Sequence, residues 1–188
     1  MKNHALSPRL IALSLLVLLA AMSRLLPHPP NFTPIAAIAL FGAAYIAPRW
    51  LAVLLPLVSL WLSDLFLNNI IYSEYNEGFV WFTGSLFWIY GSFLLISLLG
   101  FFALGKISAG RIAGISVIAS VLFFLISNFG VWVSGGMYPL TASGLIACYT
   151  AAIPFFGNTL LGDLCYTGTM FASFALLQKR FPTLQFNQ

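Results

Sequence analysis

The chain has 188 residues, of which 61% are hydrophobic and only 6% charged, with a net charge of +4 and a mean hydropathy of +0.98. Soluble domains carry about a quarter charged residues, so this composition excludes a soluble core, disorder, fibrous repeats and nucleic-acid binding. It leaves one integral membrane domain over residues 1–188, with lipid as its solvent.

Apolar runs of spanning or near-spanning length lie at Leu10 to Leu26, Pro34 to Ala47, Trp50 to Leu67, Phe79 to Leu104, Ile112 to Val133 and Phe156 to Leu177. They predict an all-α, polytopic membrane protein with six transmembrane helices. The second run is short for a span, and Phe32 and Trp50 are expected to complete its ends. Lys2 and Arg9 before the first run, with Ala20 and Ala21 late in it, also permit a cleavable signal peptide, although an uncleaved helix is simpler. Pro27, Pro29, Pro30 and Pro34 hold the first outer loop extended and stiff. The connection from Ser134 to Phe155 is uncharged and contains Gly135, Gly136 and Pro139. Its apolar piece, Leu145 to Ile153, reads as interfacial or re-entrant rather than spanning.

Placing the N-terminus in the cytoplasm and alternating the loops puts Lys2, Arg9, Arg49, Lys106, Arg111, Lys179 and Arg180 on one side and Arg24 alone on the other. That is a strong positive-inside bias and predicts both termini inside.

With a rise of about 1.5 Å per residue, the intramembrane polar residues fall toward the outer side. Asp64 lies near the outer end of helix three, and Arg24 closes helix one at that level. Asn128 lies roughly 8 Å below the outer end of helix five and Asp163 roughly 10 Å below the start of helix six. A carboxylate in hydrocarbon costs on the order of 3 kcal/mol, so each must pair or face a watery cavity. Two readings follow: an outward-facing polar pocket, or an Arg24–Asp64 pair that only pins two helices. Thr159, Asp163, Tyr166, Thr167 and Met170 share one helical face and form a polar stripe. Trp81, Ser85, Trp88 and Ser92 repeat that spacing, as a ring-stacking face or as an aromatic belt. Ala39, Ala43 and Ala47 form a smooth ridge, as do the pairs Gly110 with Gly114 and Gly168 with Ala172, either for internal packing or for docking a separate subunit.

Catalytic and metal chemistry is not indicated. Gly105-Lys106-Ile107-Ser108 mimics only the end of a nucleotide-binding loop, and the two histidines, His4 and His28, belong to no metal motif. Cys148 and Cys165 lack metal or redox spacing and read as packing residues. Asp64 in Leu62-Ser63-Asp64 and Asp163 in Leu161-Gly162-Asp163 compare poorly with intramembrane aspartyl proteases, which need a glycine where Leu161 stands and a tyrosine where Ser63 stands.

The run from Leu25 to Pro34, continuing through Ala36 to Gly42, together with Phe155-Phe156-Gly157-Asn158-Thr159-Leu160-Leu161-Gly162-Asp163, resembles an uncharacterised family of small bacterial proteins of transport type over nearly the whole chain. More distantly, that family is similar to the substrate-binding S-components of energy-coupling-factor transporters. The resemblance implies an S-component-like six-helix bundle in a bacterial inner membrane, with a pocket toward the outside. In S-components a small-residue ridge docks on a coupling subunit that carries ATPases. Ala39, Ala43 and Ala47 resemble that ridge, here on the second helix rather than the first. The reading is a protein that captures a small, vitamin-like solute from outside, with Asp163, Asp64, Arg24, Asn128, Asn158, Trp88, Thr159 and Tyr166 at the site and no metal or cofactor. A solitary proton-linked carrier and a structural subunit are the alternatives.

Overall fold

The computed structural model describes residues 7–134 and 136–185; Lys2, His4 and Gly135 lie outside them. Six α-helices follow one another: α1 (Pro8–Met22), α2 (Ile35–Tyr45), α3 (Arg49–Phe66), α4 (Leu86–Ala103), α5 (Ala109–Val133) and α6 (Ala142–Arg180). Among the described residues there is no strand. All but α2 are long and apolar enough to cross a bilayer, and Leu19, Phe87, Phe102 and Leu161 stand exposed on the outer faces, as in a multi-pass membrane protein.

Local chemistry sets the helix ends. Ser7 caps α1, its hydroxyl accepting from the Leu10 N–H at 3.2 Å, and Pro8 occupies the first helical position. α3 runs on through a π-turn at Leu67–Ile71. There the Asn69 amide clamps Val80, accepting from its N–H at 2.7 Å and donating to its carbonyl at 2.9 Å. That clamp holds residues 76–85 as a loop, so α4 begins at Leu86, later than the apolar run from Phe79 indicates. Trp81 therefore lies off the helix, its carbonyl accepting from the Trp61 indole at 3.2 Å.

Two expectations are overturned. Leu145 to Ile153 is not a separate re-entrant piece: it is the first part of α6, a helix of 39 residues with Thr141 as its cap. The segment is helical because α5 gives it a partner. Tyr149 donates to the Leu125 carbonyl at 2.6 Å, the Cys148 thiol donates to that of Asn128 at 3.4 Å, and Phe124 packs on Tyr149 and Phe156. Pro154 is accommodated inside this helix. Of the two free cysteines, Cys148 is buried in this contact and Cys165 is exposed.

The second correction concerns α2. Its 11 residues span only about 16 Å, half of the ~30 Å hydrocarbon core. It is the bundle's centre, packed against all five other helices, and every residue from Ile35 to Gly42 is buried. Phe41 meets Tyr45, Phe171 and Phe174 in an aromatic cluster. The alanine ridge therefore runs from the interior at Ala39 to the surface at Ala47. Ala39 is fully buried, and Ala43 packs where a Cβ on Gly100 of α4 would come within 2.7 Å of it, leaving only Ala47 exposed. Ala39 is thereby closed to a partner subunit, while Ala43 is half-buried.

The ends of the bundle differ in charge. Arg9 donates to the carbonyls of Leu184 and Tyr45, at 2.6 and 3.3 Å, and Arg49 lies over the Phe101 ring. These contacts gather the start of α1, the end of α2, the start of α3, the end of α4 and the turn at Pro182–Leu184 at one basic end. Lys106, Arg111, Lys179 and Arg180 lie at the same end, where α5 begins and α6 finishes. Glu74 and Glu77 lie in the loop at the opposite end.

Candidate functional site

The proline-rich loop reaches inward instead of staying at the surface. Asn158 of α6 donates to the Pro30 carbonyl at 3.0 Å, and Phe32 packs on the Tyr166 ring. Gly162 lies directly under the loop, where an added Cβ would come 3.1 Å from both Phe32 Cα and Thr33 N. No larger residue fits there without moving backbone. Asn31 turns the chain in the left-handed region with φ 63°. The loop thus descends α6 to deliver Pro34, itself fully buried, and the start of α2 to half depth.

Asp163 waits at that point. Its carboxylate accepts from the Ala36 N–H in the first turn of α2 and from the Ser120 hydroxyl of α5 at 2.7 Å. Pro34, the residue before α2, offers no side-chain cap. The carboxylate therefore satisfies one of the donors that a helix start leaves free, and sits at the positive end of the α2 dipole. Asp163 is 3% exposed. Its expected depth is corrected, because α6 begins at Ala142 rather than Phe156. Asp163 lies about 32 Å along its helix, opposite Ser120, which is about 16 Å from the basic end of α5.

A second polar group stands at a similar level between α1, α3 and α4. Arg24 Nη1 donates to Asp64 Oδ1 and to Ser63 Oγ, each at 2.7 Å, and the Tyr90 hydroxyl donates to Asp64 Oδ2 at 2.9 Å. Asp64 and Tyr90 stand about 22 and 20 Å along their helices from the basic end. This is the helix-pinning pair foreseen as one of the two readings, extended by Ser63 and Tyr90. The buried Nε of Arg24 has no hydrogen-bond partner among the described residues.

Above Asp163, away from the basic end, a cavity of about 810 Å³ opens between α4, α5, α6 and the proline-rich loop. Trp88, Phe123, Phe124 and Met137 form its apolar wall, and Asn31, Ser85, Ser127, Asn128 and Thr159 supply its polar groups. None of the residues lining it is charged. Thr159 lies one turn above Asp163, so the floor of the cavity adjoins the buried carboxylate.

The expected site residues therefore divide. Trp88, Asn128 and Thr159 line the cavity; Asp163 lies beneath it; Arg24 and Asp64 pair off to one side; and Asn158 and Tyr166 seat the loop. The stripe on α6 is not one groove. Tyr166 accepts from the Ser23 hydroxyl at 2.8 Å, Thr167 meets Ser116 at 3.3 Å, and Met170 is buried. Ser120, Tyr90 and Asn31 were not foreseen. Only Ser120 left a trace, as the four-residue repeat Ser116 and Ser120 facing α6. Among the described residues no three His, Cys, Asp or Glu side chains converge on a metal-sized site.

No curated protein and no solved structure matches the chain. One family does match, over residues 4–184, and it is described as a family of unknown function (DUF6580). The match takes in both the loop that descends and the α6 segment that receives it, and the chain belongs to that family.

Proposed function

We propose that this protein binds a small, uncharged, ring-containing solute in the cavity above Asp163, taken up from the side opposite the basic end, as one step in its transport across a bacterial inner membrane. The observation that carries the proposal is the uncharged cavity of about 810 Å³ with Trp88 in its wall and the amide of Asn128 and hydroxyl of Thr159 on its lining. The positive-inside bias assigns the basic end to the cytoplasm, so the cavity faces outward. ATPase partners acting through a coupling subunit are the proposed energy source. Their contact has to lie elsewhere than on the fully buried Ala39.

The test is mass spectrometry of small molecules retained by the full chain purified in mild detergent, comparing the native protein with Trp88→Ala. A compound retained by the native protein and lost from a folded Trp88→Ala variant supports the proposal and names the solute. Equal retention by both, or none by a folded native protein, overturns it and leaves a structural role for the bundle. Co-purification of an ATPase and a membrane subunit decides the energising partner.

A second reading, a proton-linked carrier, is favoured by Asp163, a half-depth carboxylate that caps a half-length helix. Protonation would weaken both hydrogen bonds it accepts and loosen the start of α2. Uptake that responds to a proton gradient in proteoliposomes, and is lost in Asp163→Asn, distinguishes this from ATP-driven cycling.

A further inference from the structure

A groove of about 300 Å³ runs between α5 and α6 in the basic half of the bundle, apart from the cavity. Its walls are mostly apolar or small, from Ile107 to Ala113 on α5 and its approach and from Leu164 to Ala175 on α6, with Tyr45 and Thr167 as the polar members of the lining. It is open to the surroundings, since Ala109, Ala113, Gly168, Ala172 and Ala175 are all exposed. A Cβ placed on Gly168 meets no atom within 4 Å, so the space there is unfilled by the chain itself.

The groove's length and charge name its occupant. From Leu164 to Ala175 it runs about 16 Å along α6, the depth of one leaflet of a ~30 Å hydrocarbon core. At its basic mouth, Lys106 adjoins Ile107 and Lys179 stands one turn beyond Ala175 on the same face; both are exposed. All four acidic side chains of the sequence lie elsewhere: Asp64 and Asp163 at half depth, Glu74 and Glu77 at the opposite end. The mouth is thus positive, with no carboxylate side chain to neutralise it.

We propose that this groove holds one acyl chain of an anionic phospholipid from the leaflet at the basic end, its headgroup phosphate held by Lys106 and Lys179. An apolar slot of leaflet depth takes the chain, and the paired lysines select charge over a zwitterionic headgroup. Such a lipid would complete the packing between α5 and α6 below Asp163.

Native mass spectrometry of the full chain tests this with phosphatidylglycerol and phosphatidylcholine of identical acyl chains. The native protein retains one phosphatidylglycerol per chain in preference to phosphatidylcholine, and the preference falls about fivefold for each lysine removed in Lys106→Ala and Lys179→Ala. Gly168→Leu fills the slot and abolishes retention of both lipids. Equal retention of the two lipids by the native protein overturns the proposal, as does undiminished phosphatidylglycerol binding by Gly168→Leu. A dimer that retains no lipid and that Gly168→Leu dissociates also overturns it, assigning the groove to a second copy of the chain. If Gly168→Leu does not fold, the lysine variants decide the matter alone: an unchanged preference in Lys106→Ala/Lys179→Ala overturns it.

Discussion

The two halves of the bundle are built from the same five long helices, and what separates their interiors is the sixth, α2. In the basic half α2 fills the centre, and Ile38, Leu40, Phe41 and Phe174 are wholly buried around it. In the opposite half no helix continues above Pro34, and the central space becomes a cavity of about 810 Å³. A short helix held at half depth thus converts a packed bundle into a cup. What keeps it at that depth is polar: the Asp163 carboxylate on the first turn of α2 and the loop held against Asn158 and Gly162.

The comparison predicts unequal responses to the same truncation. Phe41→Ala removes a fully buried ring with three aromatic neighbours, and its stability loss in detergent unfolding is expected at about 3–5 kcal/mol. Phe123→Ala, on the cavity wall, removes a ring that already borders empty space, and about 1 kcal/mol is expected. Equal losses would show that the cavity is closed and packed in the working protein, which removes the distinction between the halves.

A smaller effect separates the packing of α2 from its placement. Asp163→Ala strands the Ser120 hydroxyl and the Ala36 N–H, with an expected loss of about 1–3 kcal/mol. Asp163→Asn keeps an oxygen acceptor for one of the two donors, and its loss is expected to be less than half of that. If the two variants unfold alike, the charge of the carboxylate at the α2 dipole, rather than its hydrogen bonds, holds the helix down.

Much of this fold is legible in the sequence because hydropathy records which residues lipid tolerates. The runs that became α3 and α5 match within a few residues, and the basic bias orders the helices correctly even though one of them does not span. Depth is another matter. Hydropathy does not register that α2 starts halfway, because a buried half-helix is as apolar as a spanning one. It likewise divides α6 at Pro154, since a proline inside a helix resembles a break until α5 is seen to support the segment before it. The site residues were found individually but pooled into one pocket. Arg24 with Asp64, and Asp163 with Ser120, satisfy each other across 40 and 43 residues of sequence, and such pairings have no local signature. The two runs that carried the family resemblance turn out to be one contact: Pro30 to Ala36 seated on Asn158, Gly162 and Asp163.

The smallest expected effect is the most informative about that seat. Asn158→Ala removes one hydrogen bond to the Pro30 carbonyl, for a loss of about 1 kcal/mol, because Gly162 and the prolines still fix the course of the loop. Hydrogen exchange then reports where the loosening goes. The Phe32 and Thr33 amides, which bond within the loop to the Pro29 and Asn31 carbonyls, should exchange faster, whereas those of Ile38 to Tyr45 should not change. Loop and α2 then open separately, and the loop can move without disturbing the packed half. Faster exchange along α2 as well would make the two one cooperative unit, and opening the cup would require the whole centre of the bundle to move.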